Sequence, residues 1–252
     1  MRTDSRHTLR SKIIKSVSIL LVLMTVISSP GLSAGTAKSE VFVLGTLYKR
    51  HDTVAVYDLA TLRRIILAIK PDVVVLDVNP DELKENKVHP SKIEYPQVIF
   101  PLVKSENYIA YAAEPPEPMF SEIVQAGTKA FQQFEKETPD KASALKQYTA
   151  SLYETLKLSW RTPADVNSSL TDKVLSGKQA LQGNFVAVFE ENERRWNQHT
   201  TDIVLRAVKE NPKRRVLVLI GIENCYWVRS ALRNNSKINL IDMERWLQTN
   251  QS

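Results

Sequence analysis

Three carboxylates, an amide, a phenol and an imidazole stand just beyond short apolar runs in this sequence, and that placement is where its chemistry is to be sought. Gly45-Thr46-Leu47-Tyr48 ends the first run, with His51 close behind. Asp77 and Asn79 end the second, Glu114 the third, and Gly221-Ile222-Glu223-Asn224 the fourth. Such carboxylates suit a general acid–base pair, or a hard divalent cation such as Mn²⁺, Mg²⁺ or Ca²⁺ held through oxygen. In a hydrolase built from them, Glu223 or Glu114 is the general base. Asp77 orients the site or shares a metal with Glu223, and Tyr48 donates to a developing oxyanion. The plainer role for any single member is a helix cap or a turn. Their collection at one rim is what points to a site.

The elements that must position these residues are legible from hydrophobic pattern. Glu40–Thr46, Asp72–Val78, Asn107–Ala113 and Arg215–Ile220 are short, nearly continuous apolar runs, and Lys237–Ile241 is a weaker one. Continuous rather than alternating apolarity suits parallel strands covered on both faces. Between the first two runs, Leu59, Leu62, Ile66 and Ile69 recur at steps of three and four, the stripe of an amphipathic helix stopped at Pro71. Residues 79–95 read as polar and turn-like, and a short helix follows over about 96–104. Residues 118–182 read as a helical insertion, a cap or lid over the sheet. A long helix over 184–210 carries Phe185, Phe189, Asn192, Trp196, His199 and Ile203 along one stripe, and a further helix spans 224–233. Asn192 and His199 are polar residues on an apolar stripe, costly to bury without partners. A satisfied core histidine is the ordinary alternative to a ligand there. The order implies an α/β fold, with a mostly parallel sheet and helices on both faces. In such sheets ligands bind beyond the carboxyl ends of the strands.

Residues 1–34 carry the pattern of a cleavable signal peptide. Arg2, Arg6, Arg10, Lys12 and Lys15 precede an apolar stretch from Val17 to Ile27, then Pro30-Gly31 and the small residues Ser33 and Ala34. Residues 35–252 are then a single domain, exported to the periplasm or the exterior. The apolar stretch is short of the roughly 20 residues of a spanning helix, and no later segment reaches that length. Of the net charge of +6, the leader accounts for all but about two, so the basic balance does not signal nucleic acid. The single cysteine, Cys225, excludes an intramolecular disulfide and reads as buried and inert.

These segments resemble the family that joins TraB/PrgY proteins, Tiki proteases, haem-binding ChaN proteins and erythromycin esterases. The first strand runs through Val43-Leu44-Gly45-Thr46-Leu47-Tyr48, similar to the family's Gly-x-x-His turn. Lys70-Pro71-Asp72-Val73-Val74-Val75-Leu76-Asp77 is similar to its Lys-Pro-Asp-Val strand with an acidic end. Late in the chain Arg194-Arg195-Trp196-Asn197 resembles its Arg-Asn helix, and Val216–Asn224 its second strand running into Gly-x-x-His. The resemblance spans roughly residues 40–242. Rim, helix stripe and resemblance together give Gly45, Thr46, His51, Asn192, Asn197, His199, Gly221 and Asn224 as candidate binding residues. Tyr48 and Asn224 stand where the two signature histidines would be. Neutral imidazole is the usual ligand in metal-dependent hydrolysis of that kind, so zinc is disfavoured.

Three functions are then open. The first is an exported relative that has lost the histidine chemistry and binds a small molecule, peptide or partner at the strand ends. The second is a hydrolase using Asp77, Glu114 and Glu223, with or without a divalent metal. The third is iron or haem handling at the envelope, with Tyr48 as an iron ligand.

Overall fold

A computed structural model describes residues 38–250; the leader expected over 1–34 lies outside the described residues. Five strands form one sheet: β1 (Ser39–Thr46), β2 (Val73–Leu76), β3 (Ile109–Ala112), β4 (Arg215–Gly221) and β5 (Ile238–Leu240). Every pairing is parallel, in the order β3-β2-β4-β1-β5. Among the described residues ten α-helices stand around it. They are α1 (Leu59–Ile69), α2 (Pro80–Glu85), α3 (Phe100–Ser105), α4 (Met119–Glu137) and α5 (Pro139–Ser159). Then come α6 (Pro163–Val166), α7 (Ser169–Phe185), α8 (Val188–Glu210), α9 (Cys225–Leu232) and α10 (Met243–Thr249). No helix among the described residues is long and apolar enough to cross a membrane.

The two faces of the sheet explain the continuous apolar runs. Phe42, Leu44, Val74, Leu76, Leu217 and Leu219 point to one side and pack with residues of α1, α3, α6 and α10. Val41, Val43, Val73, Val75, Val216 and Val218 point to the other and pack with α8 and α9. Each fully buried aliphatic chain contributes about 1.5–3 kcal/mol, so strands clad on both sides carry no polar stripe.

Local signals set the element ends. Asp58 accepts from the amide of Thr61 to start α1, and Lys70, in the left-handed region at φ 51°, ends it before Pro71. Asn79 and Glu82 form a reciprocal capping box at the start of α2. A helical turn therefore stands inside the segment expected to be all turn, and Asn79 is a cap. The long helix starts later than expected: Phe185 closes α7, and α8 begins at Val188.

β1 and β4 lie side by side, with Thr46 level with Gly221. β1 leads through α1 on one face toward β2, while β4 leads through α9 on the other face toward β5. Diverging connections at neighbouring strand ends leave a crevice there, and this fold delivers the candidate residues to it.

Candidate functional site

Tyr48 is the first residue of a tight turn after β1, and its backbone takes φ 52°. That conformation is uncommon for a bulky side chain, and it turns the phenol across the strand ends. The hydroxyl donates to Asp77 Oδ2 at 2.5 Å, and the amide of Gly221 donates to the same oxygen at 3.1 Å. A Cβ at position 221 would lie 2.3 Å from the Tyr48 hydroxyl, so the glycine is required by the close approach of this ring. Burial, and then the charge of Asp77, push the phenol well above its ordinary range. Tyr48 therefore stays protonated, with its proton committed to Asp77. In this arrangement the hydroxyl, expected to donate to an oxyanion, donates to a carboxylate instead.

Behind this pair lies a buried layer, built from the segment 79–95 whose composition is that of a polar turn. Lys92 donates to the carbonyl of Asp77 at 2.6 Å and forms an ion pair with Glu114, with Glu82 at 3.9 Å. The Tyr95 hydroxyl accepts from the amide of Asp77 at 2.9 Å and donates to the carbonyl of Leu219 at 3.1 Å. Burial pushes the carboxyl of Glu114 upward and Asp77 adds to this, against the pull of Lys92. Glu94 is fully buried, beside Thr46, and neither of its oxygens has a partner. Burial pushes it up to about 7. Thr46 itself donates to the carbonyl of Ile220 at 3.3 Å.

Glu223 belongs to a different cluster. It accepts from the hydroxyl of Tyr153, on α5, and pairs with the ammonium of Lys178, on α7. Burial works against its charge, but Lys178 and Tyr153 outweigh it and hold the carboxylate below its usual range. The guanidinium of Arg50 stacks 3.7 Å above the Tyr153 ring. Arg50 and Tyr153 line a cavity of about 470 Å³, together with Phe131, Leu145, Lys146 and Gln182 from the helical insertion. The Tyr153–Glu223 bond ties that cavity to the carboxyl end of β4. The insertion thus caps this end of the sheet.

Several expected site residues are structural. His51 is buried: its Nε2 accepts from the amide of Leu47 at 3.0 Å and its Nδ1 donates to the carbonyl of Tyr57 at 2.6 Å. It closes the turn and, lowered by burial, stays neutral. Gly45 donates its amide N–H to Asn167 Oδ1, its carbonyl accepts from the Tyr57 hydroxyl, and a Cβ there would crowd Cys225. It is a packing glycine. Asn192 donates to the carbonyl of Ile123 and joins α8 to α4. His199 is partly exposed and lies against the backbone of Glu114. Asn224 is at the start of α9 without a side-chain cap bond. Asn197 differs from these. It is buried, and both polar atoms of its amide are without a partner, as is the buried indole nitrogen of Trp196 beside it. Cys225 is buried, which pushes its thiol up to about 12 and makes it unreactive.

Asp77 and Glu223, expected as metal ligands, have separate partners. One carboxylate is held by Tyr48 and the Gly221 amide, the other by Lys178 and Tyr153, so the two do not converge on one ion. Among the described residues no three His, Cys, Asp or Glu side chains gather as metal ligands. Arg50, Lys92, Glu94, Tyr95, Tyr153 and Lys178 complete these clusters and escaped the sequence reading. Only Arg50, two residues beyond Tyr48, stood near a motif. Comparison with protein-family models, with curated proteins and with solved structures finds no match.

Proposed function

We propose that this chain is an exported, diverged relative of the TraB/PrgY, Tiki, ChaN and erythromycin esterase-like group that binds a ligand or partner at the carboxyl ends of its strands without hydrolysing it. The observation that carries this reading is the Tyr48–Asp77 hydrogen bond beneath Gly221. The phenol fills the place that the resemblance gives to a metal-binding imidazole, and it uses the carboxylate beside it. Glu114 and Glu223, the remaining candidate bases, are held by Lys92 and Lys178. A base locked in an internal ion pair is poorly disposed to take a proton from water. A ligand-sized opening lies beside Arg50 and Tyr153, in the size range of about 300–1,000 Å³ typical of small-molecule sites. Tyr48 is committed to Asp77, which gives no support to an iron-ligand role.

A hydrolysis panel tests the proposal. Purified protein is incubated with nitrophenyl esters, nitrophenyl phosphates and peptide nitroanilides, with Mn²⁺, Mg²⁺, Ca²⁺, Zn²⁺ or chelator, beside a Glu223→Gln variant. No turnover above the protein-free blank is expected from either protein. Turnover by the wild type that disappears in Glu223→Gln would overturn the proposal in favour of a carboxylate hydrolase.

A further inference from the structure

Arg50 reaches the cavity of about 470 Å³ from a turn that is fixed on several sides. Its amide donates to the carbonyl of Leu47, and its own carbonyl accepts from the amides of Thr53 and Val54, all at 3.0 Å. His51, the next residue, ties the same turn to Leu47 and Tyr57. The side chain is fixed as well. Its guanidinium lies 3.7 Å from the centroid of the Tyr153 ring, and the Tyr153 hydroxyl is anchored on Glu223. Stacking of this kind covers one face of the guanidinium and leaves the N–H groups at its edge open to bonding in the plane. Among the described residues the guanidinium has no ion-pair partner and no hydrogen-bond acceptor; Glu223, which feels its charge, is held by Lys178 and Tyr153. Its nitrogens are not among the sealed, unpartnered polar atoms of the interior, so these donors are accessible, and the residue lines the cavity. The other charges of the lining are engaged: Lys146 pairs with Glu135, and Glu154 with Lys157. One positioned cation is thus left without a counter-charge. Phe131, Leu145 and Ala150 make the wall beside it apolar.

We infer that this cavity, taken as the binding site proposed above, holds a monocarboxylic acid with an apolar aliphatic or aromatic body. The carboxylate meets the edge of Arg50 through two parallel N–H···O bonds in the guanidinium plane, the geometry in which arginine binds carboxylates most strongly. The apolar body lies against Phe131 and Leu145, as the wall of a small-molecule site requires. One negative charge matches the one unengaged cation, whereas a dianion would carry a second charge against an apolar wall, where it is costly. A neutral ligand of the same shape covers the wall but gives Arg50 no counter-charge, so the primary amide of the same acid is the discriminating control.

Calorimetric titration at neutral pH and fixed salt tests the inference, with octanoate and phenylpropanoate each beside its primary amide. At least one acid is expected to bind saturably, one per chain, at least tenfold more tightly than its amide. In Arg50→Gln that acid should lose about the same factor while the amide binds as before. Arg50→Lys, which keeps the charge but not the planar fork, should recover only part of the loss. The acid–amide comparison is made on the wild type, so it does not depend on either variant folding. Equal affinity for acid and amide, a preference for the acid that survives Arg50→Gln, or no saturable binding of either acid would overturn the inference. The two readings fail differently. An amide bound as tightly as its acid removes the carboxylate assignment and leaves a binding site in place. Turnover in the hydrolysis panel removes the binding-only reading and leaves the preference for acids standing.

Discussion

At the scale of single residues, Tyr48 and Gly221 are mutually dependent, since the phenol occupies the volume that any side chain at 221 would need. Gly221→Ala should therefore displace the ring, break the bond to Asp77 and destabilise the fold by about 2–4 kcal/mol. In a Tyr48→Ala background the same change should cost much less. Denaturant unfolding of the four proteins of that cycle gives the coupling directly. Glu94 lends itself to a pH experiment. Its carboxyl is raised from the usual 4.5 to about 7 in the folded chain, so between those values the native state holds a proton that the unfolded chain releases. Its contribution to stability falls as pH rises through that window and is level on either side, a change of at most about 3 kcal/mol. Wild type should lose melting temperature from pH 4.5 to 7.5 relative to Glu94→Gln. Parallel curves for the two proteins would show that Glu94 ionises normally.

At the scale of elements, the crevice depends on how the helical insertion is moored to the sheet. Two links do this. Asn167, between α6 and α7, accepts from the amide of Gly45 at 2.7 Å and from Arg229 at 3.2 Å, and Arg229 reaches Asp172 and the carbonyl of Val43. Lys178 and Tyr153 hold Glu223. Asn167→Ala leaves the buried Gly45 amide without an acceptor and should cost about 1–3 kcal/mol, read by chemical denaturation. Lys178→Met leaves Glu223 with Tyr153 and the charge of Arg50. Glu223 should then titrate at higher pH than in the wild type, which carboxylate-selective NMR would report; an unchanged titration would mean the pair is not formed in solution.

At the scale of the whole molecule, the sheet was legible because strands clad on two faces are written as unbroken apolar runs, as in Val73–Leu76 and Arg215–Gly221. The rim was legible for a related reason: polar residues directly after such runs must lie at the carboxyl ends of parallel strands. Partnership was not legible. Whether Asp77 faces a ligand or a phenol depends on one left-handed backbone angle at Tyr48, and nothing in composition or periodicity reports it. Lys92, Glu94 and Tyr95 were hidden because a polar segment folded under the sheet reads like one exposed to solvent. The internal bonds of His51 and Asn192 are equally hidden, because a polar side chain bonded to a backbone carbonyl looks, in sequence, the same as one waiting for a ligand.

The central claim, a binding site with its acid–base groups internally engaged, is tested most directly by a thermal-shift screen of small molecules on wild type and Arg50→Ala, followed by recovery of each hit after prolonged incubation. A binding protein should yield hits that raise the wild-type melting temperature, lose that effect in Arg50→Ala, and come back chemically unchanged. Hits that stabilise both proteins equally, or that are recovered as cleaved products, would contradict it.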